Sequence, residues 1–300
     1  MKLVSIGECM VELSGAGADL WRSGFAGDTL NTAWYARALL PADWTVDYLT
    51  AIGNDPLSER MLRFIADAGI GTGAIRRHPS RVPGLYMIEL QDGERSFTYW
   101  RDNSAARTLA DDPAWLKGAL ADADVIYVSG ITIGILDDAG RANLWTALSG
   151  ARAKGRQVVF DPNLRPRLWP DGDAMCRATT ETARLADIVL PSHDDEAQWF
   201  GDASVEATAE RYLALGASEV LVKNGGAEMV LAEGGTIRRL PAMERVKPVD
   251  TTGAGDSFNG GYLAARLTGA PAEQAVRRGH EIAMQVVGHP GALMRMADLA

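Results

Sequence analysis

The sequence predicts an α/β fold: a three-layer, doubly wound, mostly parallel sheet with helices on both faces and a small β-strand lid. Three observations predict it. Short apolar runs recur with segments of helical length and period between them, which is the pattern of βαβ repetition. Two stretches break that repeat and read as short extended segments. The length, 300 residues with 47% hydrophobic content, suits one large domain and demands no second core.

In chain order, Leu3 to Ile6 is the first apolar run and reads as a buried strand. Met10 to Phe25 does not fit the repeat and supplies the first part of the lid. Ala26-Gly27-Asp28-Thr29-Leu30-Asn31-Thr32-Ala33 then leads into a helix continuing to about Leu40. Gly27 allows close backbone approach, and Asn31, one turn in, can offer a donor and an acceptor to a polyol; equally, Asp28 or Thr29 can simply cap the helix with Asn31 in solvent. Arg81 to Arg101 is the second lid stretch, with Leu85 to Leu90 and Ser96 to Arg101 flanking the turn Asp92-Gly93-Glu94. Alternation along it puts Tyr99 and Arg101 on one face and Trp100 on the other. A guanidinium there matches a carboxylate or phosphate better than a neutral polyol, or it pairs with a nearby acid such as Asp102.

The wound sheet resumes with strands at Asp124 to Val128, Gln157 to Phe160, Asp187 to Leu190 and Glu219 to Val222, and with helices at Asp137 to Ala153 and Ala174 to Leu185. Asp161-Pro162-Asn163-Leu164-Arg165-Pro166-Arg167 leaves one of these strands at its carboxyl end, where ligands collect in such sheets. Its arginines can hold a substrate carboxylate or nucleotide phosphates, or form surface ion pairs. Lys223-Asn224-Gly225-Gly226 follows the last of the strands and by itself reads as a turn.

Asp250-Thr251-Thr252-Gly253-Ala254-Gly255-Asp256-Ser257-Phe258 carries the chemistry. Small residues at a helix start let unpaired N–H groups close on an anion. A carboxylate beside bound phosphate is repelled unless its charge has a task, such as taking a proton from a hydroxyl nucleophile. The pattern suggests phosphoryl transfer to an alcohol. The plain alternative is a loop shaped by Gly253 and Gly255, with Asp256 capping a helix from about Ser257 to Leu267.

Other classes are excluded by composition. A net charge of −9 without a Lys/Arg-rich run argues against nucleic acid or an anionic membrane as partner. The N-terminus meets Glu8 too early for a secretory signal, and no apolar stretch has the length of a membrane span, so a cytoplasmic chain is expected. Cys9 and Cys176, far apart and without His or Cys at ligand spacing, read as ordinary thiols.

The string ending in Asp256, with the helix through Gly260, Gly261 and Tyr262, resembles the C-terminal signature of the ribokinase-like (PfkB) carbohydrate kinases. The segment Ala26 to Ala33 resembles their N-terminal sugar signature, with Ala26 in place of the first of two glycines. The resemblance implies a ribokinase-like fold and a lid that keeps water from competing for ATP. It also implies Asp256 as catalytic base, with Gly253, Ala254 and Gly255 forming the anion hole.

With Gly84-Leu85-Tyr86, Tyr99-Trp100-Arg101 and the Asp161 loop added, the chain is most similar to the 2-keto-3-deoxygluconate kinase branch. That likeness implies a sugar-acid substrate. Gly27, Asp28 and Asn31 would meet its hydroxyl end, Tyr86 and Tyr99 its chain, and Arg101 and Arg165 its carboxylate and keto oxygens. Asn163, Lys223, Asn224, Gly225 and Gly226 would meet ATP, and His280, in a helix from Ala272 to Val287, falls where the adenine pocket closes but reads by itself as a core or surface residue. The family's Asn-x-x-Glu motif, which organises Mg²⁺, is replaced here by Ser192-His193-Asp194-Asp195-Glu196, leaving Asp195 and Glu196 as candidates. Family members often pair through their lids, so a homo-oligomer is allowed. Two alternatives stay open: a kinase for a neutral ketose such as fructose, and a binding protein that kept the fold without the chemistry.

Overall fold

A computed structural model of the chain describes residues 1–17, 20–91 and 94–299, with residues 90, 91, 94 and 95 described by backbone alone. The strands are β1 Lys2–Ile6, β2 Met10–Gly15, β3 Trp21–Ala26, β4 Thr45–Ile52, β5 Ile75–Arg77, β6 Leu85–Gln91, β7 Glu94–Trp100, β8 Val125–Ser129, β9 Gln157–Asp161, β10 Ile188–Val189, β11 Glu219–Val222, β12 Met229–Glu233 and β13 Thr236–Leu240. Nine form a large sheet in the order β13-β12-β11-β10-β9-β8-β1-β4-β5, and four form a small one in the order β3-β2-β6-β7. The large sheet is parallel from β5 to β11, and β12 and β13 extend it antiparallel.

Alternation along the central strands divides the core into two layers. Ile126, Val128, Val158 and Phe160 face one side, where they meet Leu144 and Leu148 of the helix Asp138–Arg152. Val125, Tyr127 and Val159 face the other and meet Leu30 and Ala33 of the helix Asp28–Leu39 together with Phe258 and Tyr262 of the helix Ala254–Leu267. Being buried on both faces is what makes these strands continuous apolar runs. From β1 the chain passes to β4 on one side and later to β8 on the other. That reversal opens a crevice beyond the strand ends, where ligands bind in doubly wound sheets.

The strands expected at Leu3, Asp124, Gln157, Asp187 and Glu219 are β1, β8, β9, β10 and β11. Asp187 lies just outside its strand, with its carboxylate accepting from Val158 N at 2.8 Å and Arg152 Nε at 2.8 Å. The edge strands β5 and β13, and their inner neighbours β4 and β12, were not anticipated. Polar Thr45, Asp47 and Thr50 interrupt the apolar signal of β4, although Val46 and the run Tyr48–Ile52 are buried.

The lid is two antiparallel pairs, β2 with β3 and β6 with β7, joined by parallel pairing of β2 with β6. Asp92 and Gly93 of the expected turn lie outside the described residues. Met10, Tyr86 and Ile88 pack on one lid face with Phe97. Val11 and Phe25 join the main core from the other. Among the described residues no helix is long and apolar enough to cross a membrane.

Candidate active site

The helix Ala254–Leu267 begins three residues earlier than the sequence suggests, because Gly253 turns the chain with φ 75°. A side chain there would be strained, and a Cβ would come within 2.9 Å of Ala292 O. Asp250 fixes the approach, accepting from Thr252 N at 2.9 Å and Gly291 N at 2.6 Å. Asp256 therefore sits in the first helical turn and makes no capping bond. Ala254 N–H turns back to Thr251 O at 3.3 Å, which leaves the N–H groups of Gly253, Gly255 and Asp256 of the expected nest open to an anion.

Asp256 Oδ2 accepts from Asn31 Nδ2 at 2.8 Å. The same Asn31 accepts from Gly27 N at 3.4 Å, so its donor joins the segment Ala26 to Ala33 to the one ending in Asp256 while its acceptor stays within its own segment. Gly27 is needed for a close approach to protein backbone, since a Cβ would fall 2.0 Å from Glu8 O. Asp28 accepts from Asn163 Nδ2 at 2.9 Å, so Asn163, expected on the nucleotide side, stands against a residue expected on the sugar side. Asn163 holds φ 35°, a left-handed conformation uncommon outside glycine and frequent at functional sites.

A buried polar network below Asp256 went unnoticed in the sequence. Lys223 Nζ lies 3.1 Å from Asn259 Oδ1 and 3.4 Å from Asp161 Oδ2, and Asn259 Nδ2 donates to Asp161 at 2.7 Å and to Tyr127 Oη at 3.1 Å. Thr32 Oγ1 lies 3.3 Å from Tyr127 Oη and donates to Asp256 O at 3.2 Å. The Lys223 amine is thus hydrogen-bonded inside the protein, while the residue also edges the cavity next to the helix start. Asn259, a buried polar residue one turn after Asp256, was the available signal, as was Asp161 directly after the apolar run Val158 to Phe160.

Three carboxylates around one lysine set the electrostatics. Burial, then the Asp28 and Asp161 charges, push the Asp256 carboxyl up to about 7, against the Asn31 bond and Lys223 that pull it down. Burial also raises Asp28, with Asp161 adding to it, while its hydrogen bonds to Ser129, Thr29 and Asn163 oppose the rise. A carboxylate poised near neutrality suits a general base.

The lid residues are held by acids. Tyr86 donates its hydroxyl to Glu12 and lies beside Tyr99 with the rings tilted by 33° and their centres 5.8 Å apart, and Arg101 pairs with buried Glu8 rather than with Asp102. Arg165 is half exposed, bonded to Leu164 O at 2.7 Å and 3.8 Å from Asp195. Asp195 thereby stands on the same side as the Asp161 loop. Glu196 does not: it is fully buried, with its oxygens taken by Arg211 at 2.7 Å and Tyr212 at 3.0 Å. Of the two metal candidates only Asp195 is available to organise metal-bound water, and among the described residues no group of three or more acids, His or Cys is gathered for direct ligation.

Beside the helix start lies a cavity of about 420 Å³, walled by Val246, Phe258, Ala283 and Val287 and edged by Lys223, Asn224, Gly225, Gly226, Ala254 and Gly255. Gly225 and Gly226 hold φ 53° and 82°. Asn224 Nδ2 closes the turn on Glu228 O at 3.1 Å. His280 lines the same cavity, buried, with Nε2 2.6 Å from Glu244 O.

The model of the pfkB family of carbohydrate kinases matches residues 1–297. The 2-dehydro-3-deoxygluconokinase of Dickeya dadantii is 43% identical over 296 residues, covering 96% of this chain and 95% of that protein. The enzyme of the same name from Escherichia coli K12 is 41% identical over 300 residues, covering 98% and 97%. A ribokinase II from E. coli, solved in complex with ATP and Mg²⁺, superposes with a TM-score of 0.86 at 22% identity, covering 100% of this chain and 96% of that one. The expected ribokinase-like fold is the one observed, and the chain belongs to the pfkB family of carbohydrate kinases.

Proposed function

We propose that the chain is an ATP- and Mg²⁺-dependent kinase of 2-dehydro-3-deoxygluconate, also called 2-keto-3-deoxygluconate, acting at its 6-hydroxyl. The observation that carries this reading is the near-full-length likeness to kinases of that sugar acid. The site chemistry supports it. Asp256 takes the hydroxyl proton as the oxygen attacks the γ-phosphorus; the bond from that phosphorus to the β-γ bridging oxygen breaks, and ADP leaves. The N–H groups of Gly255 and Asp256 stabilise charge on the transferring group. Magnesium, when bound, would supply neutralisation of the phosphate oxygens, and Asp195 would hold its water. The apolar cavity beside Gly225 and Gly226 suits an adenine ring.

Arg101 and Arg165 fix the far carboxylate, so their binding energy goes into orienting the hydroxyl. Tyr86 and Tyr99 line its path. Two arginines favour an acid over a neutral ketose such as fructose, and an ionisable base beside the donors favours an enzyme over a binding protein. Pairing of two copies through the lid is part of the reading, supported by exposed Trp21 and Trp100 on that small sheet. A coupled ADP-release assay across sugar acids and neutral ketoses, with and without Mg²⁺, tests it. Turnover should require both the sugar acid and the metal. Equal or faster turnover of fructose would favour the ketose kinase, and no sugar-dependent ADP would favour a binding protein.

A further inference from the structure

The loop after β1, the turn before β6 and the residue following β7 converge on one buried ion pair. Glu8 is 2% exposed and Arg101 7%, and Arg101 Nη2 donates to Glu8 Oε2. The pairing is incomplete, because among the described residues neither Glu8 Oε1 nor Arg101 Nε, both buried, has a hydrogen-bond partner. Gly84 makes room for it: a Cβ there would lie 2.7 Å from Glu8 Oε1 and 3.2 Å from Arg101 Cβ. Glu8 is anchored from below as well, its carbonyl lying against Gly27 at the start of the helix that carries Asn31.

Taking two charges out of water is repaid only when the remaining polar atoms are satisfied, and here they are not. As a stabilising device the pair is poor, and apolar residues of the same volume would serve the fold better. What the pair does achieve is to hold a long, flexible side chain in one place. Glu8 grips one terminal nitrogen of the guanidinium and leaves the rest of the fork for another anion.

We propose that Glu8 is a positioning residue for substrate recognition, fixing Arg101 where it meets the carboxylate of a sugar acid. This rests on the reading of the chain as a sugar-acid kinase in which Arg101 contacts that carboxylate. Glu8 itself touches neither the sugar nor the phosphates. Its removal should act through Arg101 alone, on binding of the acid rather than on phosphoryl transfer.

The test is steady-state kinetics of the full chain with 2-keto-3-deoxygluconate and MgATP for the parent, Glu8→Gln, Arg101→Ala and the double variant, with thermal melts alongside. Glu8→Gln keeps shape and volume but loses the charge-assisted bond. It should raise KM for the sugar acid by about tenfold, with a much smaller change in kcat. The double variant should be no worse in KM than Arg101→Ala, because two residues acting as one unit are not additive. A purely structural role would lower the active fraction, and so apparent kcat, at unchanged KM, and that result overturns the proposal. So do KM effects that multiply in the double variant. An unchanged KM in Arg101→Ala overturns the underlying assignment of Arg101, and is told apart by leaving sugar-acid turnover intact in the parent. If Glu8→Gln does not fold, Glu8→Asp, which keeps the charge and shortens the reach, gives the same comparison.

Discussion

Replacing Asp256 by Asn should make the folded protein more stable, with a pH dependence that identifies the cause. Burial and the neighbouring Asp28 and Asp161 raise the carboxyl from 3.8 to about 7, so the folded state holds this proton more tightly than the unfolded chain does. Stability is then greatest below the unfolded value near pH 4, falls as pH rises toward 7, and stays lower above it. The displacement corresponds to at most about 4 kcal/mol. Part of that is repulsion shared with Asp28, and the asparagine keeps a hydrogen-bond partner in Asn31, so a gain of about 2 kcal/mol is expected at pH 8. For a chain of this size that raises Tm by about 2–4 °C. The assay is a thermal melt of ligand-free parent and variant from pH 4 to pH 8. The curves should converge near pH 4, separate progressively as pH rises to 7, and stay apart by a constant amount above it. A variant no more stable than the parent at pH 8, or equally stabilised at pH 4 and pH 8, would refute the reasoning.

Arg165→Ala should raise KM for the sugar acid by about tenfold or more while moving Tm by less than about 1 °C, because the side chain is half exposed and its contact with Asp195 is a surface pair. Kinetics and melts on the same preparation check both halves. Asp195→Asn should raise the Mg²⁺ concentration needed for half-maximal rate by several-fold, read from a metal titration at fixed ATP. Glu196→Gln should leave that titration in place and instead lower the urea midpoint, since Glu196 is committed to Arg211 and Tyr212. Gly253→Ala should cost at least about 1–2 kcal/mol in urea unfolding, from a left-handed φ of 75° and a Cβ driven against Ala292 O, and should slow turnover by deforming the helix start.

The wound core was legible because β1, β8, β9 and β11 are buried on both faces and so carry uninterrupted apolar runs. β4, whose polar residues break the run, and the partly exposed edge strand β13 gave no such signal, whereas β12 carries a short buried run, Met229 to Ala232, that went unanticipated. The pairing of β2 with β6 joins segments some seventy residues apart in sequence, and period alone cannot reveal it. At the site, the Gly253 to Asp256 string announced a helix start and an acid, and both are there. What the string could not give was partnership. That Asn31 reaches Asp256, that Asn163 reaches Asp28, and that Lys223 turns inward to Asp161 and Asn259 depend on which strand ends the topology brings together. Glu8 was visible only as an early charge; its burial beside Arg101 comes from the lid folding back over the first strand.

The most direct test of Asp256 as the base is the rate of ADP formation at saturating MgATP and 2-keto-3-deoxygluconate, compared between the parent and Asp256→Asn. The account predicts a kcat about 10² to 10⁴ lower in the variant with KM for the sugar acid nearly unchanged. A folded variant turning over at a rate close to the parent's would contradict it.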